Sequence, residues 1–485
     1  MKYKALFFLV IFLFSFKIPA EVLKVGIQAD IRDTNPQNAI DSYTLSVMGN
    51  VFEPLVNFDE KGVNIIPWLA ISWEADKEFK KWTYTLREGV KFHDGTPLDS
   101  ESVLSSFSNI KNLPFKVEVV DKNKILITLN SPNSNFNQVL AEPYYFIISP
   151  KMLQNKKIVS GTGPFIFSSW EKGKKIVLKR NQNYWQKPSL LEEAVFIVLG
   201  NHGRVIEALK NGEIDLAEWV SGENLSDLKK LSHLNVESIM GNSTGFLSIN
   251  TKKAPFNDVR IRKAIAAAIS PYDLAKKYFK GTAGAPASSM VPPKLFSYFS
   301  KTQKNNIDIA KKFLAEANFK NSREFILLEN WAPRPYMPDP HNIALDLKKY
   351  LEAVGIKVKV ERDPENYFKR MESGDFDLIL NGWIADSGDP VEYIEANLHS
   401  RAIGYNNASF WKNEKFDKLI DECKMLSGSE LEKKLKEALS IADEEVPLVP
   451  LFHGPQTAVF SKKVKGYIVH PFTQLWLYPV EIIMQ

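Results

Sequence analysis

The chain has 485 residues, of which 44% are hydrophobic and 25% are charged. These proportions are typical of a globular protein, and the length predicts two to four domains. The formal net charge of +5 falls to +2 without the first 20 residues, which hold three lysines and no acid. So small a charge, with no dense run of lysine and arginine, argues against a nucleic-acid partner.

The first 20 residues predict a cleavable secretory signal peptide. Lys2 and Lys4 precede an apolar stretch over residues 5–16, and Ala20 is a small residue at a cleavage point. The stretch is too short for a membrane-spanning helix, and the alternative is a retained amphipathic anchor. The sole cysteine, Cys423, can form no intramolecular disulfide, and no cysteine follows the leader to carry a lipid. We therefore expect a soluble periplasmic protein without a lipid anchor.

Along the amino-terminal half, alternating apolar residues predict strands, and periodic runs behind capping residues predict helices. His93, beside Asp94 at a tight turn, is expected to be structural rather than catalytic. The predicted strands cover residues 23–27, 82–86, 89–92, 165–170, 175–179, 212–216 and 246–249, and the predicted helices cover 43–52, 99–106, 205–211 and 258–269.

The carboxyl-terminal third alternates strands and helices, which is typical of βαβ units in a mixed α/β domain. A stretch rich in Pro, Ser and Gly, residues 281–305, is predicted to be a long surface loop. The predicted helices cover residues 309–317, 341–354 and 364–372, and the predicted strands cover 324–328, 356–360 and 378–383.

The last of these strands leads into a candidate binding loop. Asp389 is followed by Pro390 and, three residues on, by Glu392, which predicts a helix that begins with Asp389 as its N-cap. Asp386 has no such structural role, and it follows the strand that carries Trp383. We therefore expect the Asp386 carboxylate to bind a cationic group of a ligand.

No catalytic, metal or nucleotide pattern stands out. The seven histidines show no zinc-binding spacing, and the glycines at 161–164 lack the ending of a phosphate-binding loop. We expect a binding protein with no catalytic residue, no metal site and no cofactor. The competing class is a secreted hydrolase that uses scattered carboxylates.

Aromatic side chains are frequent near loops and strand ends of the carboxyl-terminal third. Together with Asp386 and Arg334, some of them could line a pocket for an amphipathic solute, although each taken singly fits core packing better. These aromatic residues are Trp331, Tyr336, Trp383, Tyr393, Tyr405 and Trp411.

Several motifs, in order along nearly the whole mature chain, resemble those of the family 5 extracellular solute-binding proteins. This family comprises the oligopeptide-, dipeptide- and nickel-binding receptors of bacterial ABC importers. The motifs are Val51–Leu55 with Pro67–Trp73, Leu86–Pro97, Gly161–Pro164 with Asn183–Trp185, Asn250–Phe256 with Val259–Arg262, and Gly374–Asp377 with Gly382, Trp383 and Asp386–Pro390.

The resemblance implies an α/β fold of two lobes that close like a clamshell, of the type II, three-domain, oligopeptide-binding kind, with mixed sheets flanked by helices. Lobe 1 would combine residues 21–48, 160–247 and 458–485, with an inserted domain at 49–159, and lobe 2 would cover 248–457. The hinge would lie near Gly245–Asn250 and near Phe452–Phe460.

The resemblance also implies roles at the ligand site. Asp386 occupies the position whose carboxylate pairs with the ligand α-amino group in peptide-binding relatives, and Trp383 matches an aromatic residue of that pocket. The family motifs do not show which basic residue binds the carboxylate of a ligand, so Arg334 and His453 are both candidates. The further candidates for ligand contact are Tyr336, Tyr405 and Phe246.

The implied function is that of a periplasmic receptor for a short peptide or a related small solute. It would act as a monomer and deliver its ligand to an inner-membrane ABC permease and its ATPase. Alternative ligands are a nickel chelate, an opine or a cell-wall peptide, and a further alternative is a sensor or chaperone-like role without a transporter.

Overall fold

The computed structural model describes residues 21–39, 41–220, 222–298, 305–321, 323–385, 387–472 and 475–483. The predicted signal peptide and Asp386 lie outside the described residues. Among the helices of the described ranges, none is long and apolar enough to cross a membrane.

The strands follow one another through the whole chain. They are β1 (Val22–Ile27), β2 (Val56–Phe58), β3 (Ile65–Pro67), β4 (Ala70–Ala75), β5 (Lys81–Leu86), β6 (Phe115–Asp121), β7 (Lys124–Leu129), β8 (Phe165–Glu171), β9 (Lys175–Arg180), β10 (Glu193–Val198), β11 (Leu216–Glu218), β12 (Leu234–Ile249), β13 (Ala285–Pro286), β14 (Phe325–Leu328), β15 (Val358–Glu361), β16 (Leu378–Ile384), β17 (Leu448–Ser461), β18 (Val464–Lys465) and β19 (Glu481–Ile482).

The helices are concentrated in the carboxyl-terminal half. They are α1 (Ser42–Met48), α2 (Ser100–Ser108), α3 (Phe136–Leu140), α4 (Pro150–Gln154), α5 (His202–Asn211), α6 (Gly222–Leu228), α7 (Val259–Ala268), α8 (Pro271–Tyr278), α9 (Ile307–Glu316), α10 (Pro340–Ala353), α11 (Tyr367–Ser373), α12 (Pro390–Leu398), α13 (Glu414–Cys423) and α14 (Gly428–Glu445).

A single sheet connects the two lobes. Within the described residues it has eleven strands, in the order β15-β14-β16-β12-β17-β11-β1-β10-β9-β8, with β13 paired to β17. By the predicted boundaries, β1 and β8–β11 fall in lobe 1, and β14–β16 fall in lobe 2. A separate sheet, β4-β5-β7-β6, forms the inserted part between α1 and β8. The predicted mixed α/β class is confirmed, whereas the predicted domain boundaries stay predictions.

Two long strands cross between the lobes. Residues 234–240 of β12 pair with 455–461 of β17, and residues 244–248 pair with 448–453. Residues 243–249 also pair with β16 of lobe 2. The ladder between β12 and β17 is interrupted between Met240 and Thr244, where residues 241–243 lie opposite Gly454. The chain therefore passes from one lobe to the other at an irregular point of the sheet.

Each lobe has its own hydrophobic core beside this sheet. In lobe 1, Leu23 of β1 and Phe196 of β10 are fully buried in one cluster. In lobe 2, Leu327 of β14, Leu380 of β16 and Leu347 of α10 are fully buried in another. Burying such side chains is the main favourable term in folding, and it fixes the face that each helix turns toward the sheet.

Three predicted elements differ from the structure. The strand predicted at 89–92 is wrong, because Gly89 has φ +79° and the Phe92 N–H donates to Thr96 O in a turn. The strand predicted at 212–216 begins only at Leu216, since Gly212 closes α5 in the left-handed conformation. The helix predicted at 43–52 ends at Met48.

The predicted surface loop at 281–305 contains β13, which pairs with β17, and its residues 299–304 lie outside the described ranges. His93, which follows the wrongly predicted strand, has a structural contact, since its Nε2 lies 2.9 Å from Gly163 O. Burial lowers the pKa of His93 to about 4, so the ring is neutral at pH 7.

Candidate functional site

Tyr336 packs against three glycines from three neighbouring strands, which we call the glycine platform: Gly245 of β12, Gly382 of β16 and Gly454 of β17. A Cβ added to these glycines would lie 2.5, 2.4 and 2.8 Å from the nearest Tyr336 atom. Only glycine permits so close an approach. The Tyr336 hydroxyl donates to Gly382 O at 3.2 Å, and the residue is 6% exposed. The platform therefore fixes the segment that carries Tyr336 at the crossing of the lobes.

This segment is a tight turn that presents Arg334. The backbones of Arg334 and Met337 exchange two hydrogen bonds, of 3.0 and 2.9 Å. The guanidinium carbon of Arg334 lies 4.2 Å from the centroid of the Trp331 ring, a cation–π contact. Among the carboxylates of the described residues, none forms an ion pair with Arg334. The guanidinium is thus held against the Trp331 ring, and among the described residues no carboxylate neutralises its charge.

Arg334 also acts on the opposite lobe. Burial and the charge of Asp41 raise the pKa of Tyr43, in α1 of lobe 1, to about 12, and the positive charge of Arg334 opposes this shift. The Tyr43 ring meets the Trp219 ring edge-on, with centroids 5.0 Å apart. Arg334 therefore lies close enough to Tyr43 for its charge to act on the phenol group.

Trp219 has an uncommon backbone conformation. Its φ of +56° lies in the left-handed region, which bulky residues rarely adopt, and its N–H donates to Thr457 O at 2.8 Å. Sequence reasoning missed both Tyr43 and Trp219 as site residues. The aromatic side chain of Tyr43 at the start of a predicted helix was the only available signal, and it does not reveal the partner lobe.

A second group of side chains lies on the other face of the same strands, because successive residues of a strand point to opposite faces. Thr244 is paired in register with Trp383 of β16 and with His453 of β17. Thr244 Oγ1 lies 3.0 Å from His453 Nδ1, and the Tyr393 hydroxyl donates to Trp383 O at 3.1 Å. Burial lowers the pKa of His453 to about 4. A neutral imidazole is a weaker partner for a ligand carboxylate than Arg334.

The loop after β16 contacts the inserted part of the molecule. Asp389 caps α12, as predicted, by accepting the Val391 N–H at 2.8 Å, and it accepts a second bond from Asn135 Nδ2 at 3.0 Å. Burial raises the pKa of Asp389 to about 6. A Cβ on Gly388 would lie 2.8 Å from the Phe58 ring. This loop therefore lies against residues 58 and 135 of the inserted part.

Asp386 itself lies outside the described residues, so its predicted contact with a ligand stays a prediction. Both neighbours in the chain are buried, namely Ala385 at 3% and Ser387 at 5% exposure. The Ala385 N–H donates to Asn242 O at 2.8 Å. Ala385 thus lies directly beside the crossing point of β12.

The remaining predicted site residues are not brought together with Tyr336. Tyr405 is 72% exposed in a turn that its N–H closes on Ala402 O at 3.1 Å. Phe246 is 1% exposed and belongs to the same hydrophobic cluster as Tyr393. Among the described residues, no group of three His, Cys, Asp or Glu side chains could hold a metal ion.

Comparison with known proteins places the chain in a family. Residues 64–405 match the model of the bacterial extracellular solute-binding proteins, family 5 (middle). The dipeptide-binding protein of Pseudomonas aeruginosa is 29% identical over 476 residues, which cover 89% of this chain and 89% of that protein.

Solved structures share the fold over almost the whole chain. The periplasmic binding protein DppA from Helicobacter pylori, in complex with peptide STSA, is 27% identical with a TM-score of 0.80, and the match covers 96% of this chain and 98% of that one. HbpA2 from Haemophilus parasuis is 25% identical with a TM-score of 0.87, at 96% and 100% coverage. The chain therefore belongs to the bacterial extracellular solute-binding proteins of family 5.

Proposed function

We propose that the protein is a periplasmic receptor that captures short peptides between its two lobes and passes them to an ABC importer. Family membership supports the receptor role, and the similarity to a dipeptide-binding protein and to a structure holding a peptide supports the ligand class. The observation that carries the proposal is the position of Arg334, a cation held against the Trp331 ring beside the glycine platform, with no carboxylate partner among the described residues.

In this proposal the two charged ends of a peptide are recognised separately. Arg334 binds the carboxylate, and Asp386 binds the α-amino group. Hydrogen bonds to charged groups contribute about 1.5–3 kcal/mol each. Tyr336 and Trp383 supply aromatic surface around the peptide, and Tyr405 and Phe246 stay predicted contacts without further support.

The ligand would hold the lobes together. Because Arg334 belongs to lobe 2 and Tyr43 to lobe 1, a ligand bound at Arg334 gains its lobe 1 contacts only in the closed arrangement. A ligand shifts such an equilibrium by the difference between its affinities for the two states. The closed monomer would then dock on the membrane permease, whose ATPase drives import.

The leader supports export to the periplasm. Residues 1–20 carry the charged start, apolar stretch and small terminal residue of a cleavable signal peptide. No cysteine follows Ala20 that could receive a lipid, so we propose that the mature protein diffuses freely in the periplasm.

Isothermal titration calorimetry with Asp386→Asn tests the peptide assignment. We expect the variant to lose roughly tenfold or more in affinity for a peptide with a free amino terminus, and little for the same peptide after acetylation. Asp375→Asn, at an exposed carboxylate of the same lobe, is the matched control. An equal loss for both peptides would remove Asp386 from the site.

A peptide mixture incubated with the wild-type protein separates the receptor from the hydrolase alternative. A receptor retains its peptides unchanged, whereas a hydrolase releases products. Native mass spectrometry of protein taken from its own periplasm would identify the bound ligand directly.

A further inference from the structure

Asn242, in the crossing strand β12, is buried and unsatisfied. Its side chain is 2% exposed, and neither its nitrogen nor its oxygen has a hydrogen-bond partner among the described residues. The fold satisfies buried asparagines elsewhere. Asn50, fully buried, donates to Ser46 O and Leu475 O at 2.9 Å and accepts the Leu477 N–H at 2.9 Å. Because buried polar groups are nearly always paired, the two free atoms of Asn242 require an explanation.

The position of Asn242 connects it with the ligand site. Its carbonyl oxygen accepts the N–H of Ala385, the last residue before the predicted ammonium partner. It lies in the three-residue interruption of the β12–β17 ladder, where the chain passes between the lobes. Gly454, which lies opposite residues 241–243, is a member of the glycine platform and contacts Tyr336. The free amide therefore belongs to the stretch where the strands cross between the lobes, next to Ala385.

We propose that the side-chain amide of Asn242 pairs with a peptide bond of the captured ligand. A carboxamide offers two N–H donors and one carbonyl acceptor. The N–H and the carbonyl of a trans peptide bond point to opposite sides, so the carboxamide faces one of them at a time, and its oxygen can accept the peptide N–H.

The inference rests on the proposed function and extends it. Charged groups at Arg334 and Asp386 would recognise only the two ends of a ligand, which many amphoteric solutes share. An amide that reads a peptide bond distinguishes a peptide from such solutes, and it does so without regard to the side chains of the peptide. In a peptide, the first peptide bond lies two bonds from the ammonium nitrogen. Asn242 contacts Ala385, the residue before the predicted ammonium partner Asp386, so a residue near that end of the ligand is where such a contact is expected.

The test combines a nearly isosteric substitution with a ligand that lacks one N–H. The probes are the dipeptide Ala-Phe and its ester analogue, in which phenyllactate replaces phenylalanine, and their affinities are measured by calorimetry. For the wild type we expect roughly tenfold weaker binding of the ester. Asn242→Leu should bind Ala-Phe roughly 10–100-fold more weakly than the wild type does, and the difference between the two probes should almost vanish.

Thermal unfolding without ligand separates this role from a structural one. Asn242→Leu removes an unpaired polar group, so its Tm should equal or exceed that of the wild type. Ser100→Ala is the matched control, since the Ser100 hydroxyl is also buried and unpaired but lies in α2 of the inserted part. This variant should leave the affinities for both probes unchanged.

Two results would overturn the inference: unchanged affinity of Asn242→Leu for Ala-Phe, or an equal loss for Ala-Phe and its ester. If Asn242→Leu does not fold, Asn242→Ala provides the same comparison with the same outcomes. Wild-type protein that binds neither probe, nor any other free dipeptide, would reject the proposed function itself. That measurement involves no substitution, so the two failures are distinguishable.

Discussion

Two polar regions of the molecule differ in how far their buried groups are satisfied. The first lies where the inserted part meets lobe 1, around the carboxylate of Glu53, which is 3% exposed. This carboxylate accepts four hydrogen bonds of 2.7–2.9 Å, from Trp68 Nε1, Thr162 Oγ1, Tyr184 Oη and Trp185 Nε1. Its donors come from both sides of the junction, so the bonds connect the two parts.

The second region lies between the lobes, where, among the described residues, Arg334 has no carboxylate partner and the side chain of Asn242 has no hydrogen bond. Both regions are rich in aromatic rings, so composition does not distinguish them. The two regions differ in how many of their buried polar groups have hydrogen-bond partners. A fully satisfied buried group stabilises one arrangement of the chain, whereas the groups at the lobe crossing that are unpaired among the described residues have hydrogen-bonding capacity that a ligand could use.

Removing the carboxylate of Glu53, whose region has its buried polar groups hydrogen-bonded, should give the largest loss of stability. Glu53→Ala leaves four buried donors without an acceptor, and each costs about 1–3 kcal/mol. We expect the free energy of unfolding to fall by about 4 kcal/mol or more, measured by urea denaturation. Glu60→Ala, at an exposed position of the same part, should change it little. A loss below about 1 kcal/mol for Glu53→Ala would contradict the structural role.

Removing the positive charge of Arg334, in the region between the lobes, should weaken ligand binding and leave the free energy of unfolding nearly unchanged. Arg334→Met should weaken binding of a peptide with a free carboxylate roughly 10–100-fold, and binding of the corresponding peptide amide far less. Calorimetry gives both values, and Arg204→Met, at an exposed arginine of lobe 1, serves as the control. The assignment fails if acid and amide lose the same factor.

A methyl group added to the glycine platform should lower both the stability of the protein and its affinity for peptides, each to a moderate degree. In Gly382→Ala the new carbon would lie 2.4 Å from the Tyr336 ring and 2.5 Å from Thr244 O, so Tyr336 and its neighbour Arg334 must shift. We expect a loss of about 1–3 kcal/mol in stability, together with weaker peptide binding. Gly203→Ala, whose new carbon meets nothing closer than 3.4 Å, should be nearly neutral. Unchanged binding by Gly382→Ala would show that the platform does not position Arg334.

The smallest effect is expected at Asp389, which accepts hydrogen bonds but is also desolvated. Burial raises its pKa from 3.8 to about 6 in the folded protein. A raised folded-state pKa contributes stability that is complete below pH 4 and is lost as the pH rises through 6. Asn is also a good N-cap. The unfolding free energy of the wild type should therefore fall relative to that of Asp389→Asn by about 2 kcal/mol between pH 4 and 6.5. Parallel pH profiles would contradict this.

The fold could be predicted largely from local signals. The N-cap at Asp389 involves residues only two positions apart, so the order Asp-Pro and the strand before it were enough to predict α12. The alternation of strands and helices and the ordered motifs predicted the mixed α/β class. The pattern at residues 89–92 predicts a strand, whereas Gly89 adopts a left-handed backbone conformation. The sequence does not show which glycines adopt a positive φ, so this turn could not be predicted.

The site depends on contacts that local patterns do not contain. Gly245, Gly382 and Gly454 meet at one tyrosine although more than 70 residues separate each from the next. Asn242 reads as an ordinary polar residue before an apolar strand, because its burial follows from the pairing of β12 with distant segments. The contact between Asn135 and Asp389 joins residues 254 positions apart. Such features become visible only when the strands are paired.

The interrupted ladder at residues 241–243 has a mechanical consequence. A change in the angle between the lobes must bend β12 and β17, and bending a continuous ladder breaks its backbone hydrogen bonds. Between Met240 and Thr244 the regular pairing is already interrupted, a second register shift follows between Gly245 and Phe246, and Gly454 opposite residues 241–243 has no side chain. The sheet is therefore least regular where it joins the two lobes, and a change in the angle between the lobes disrupts fewer paired residues there than it would in a continuous ladder.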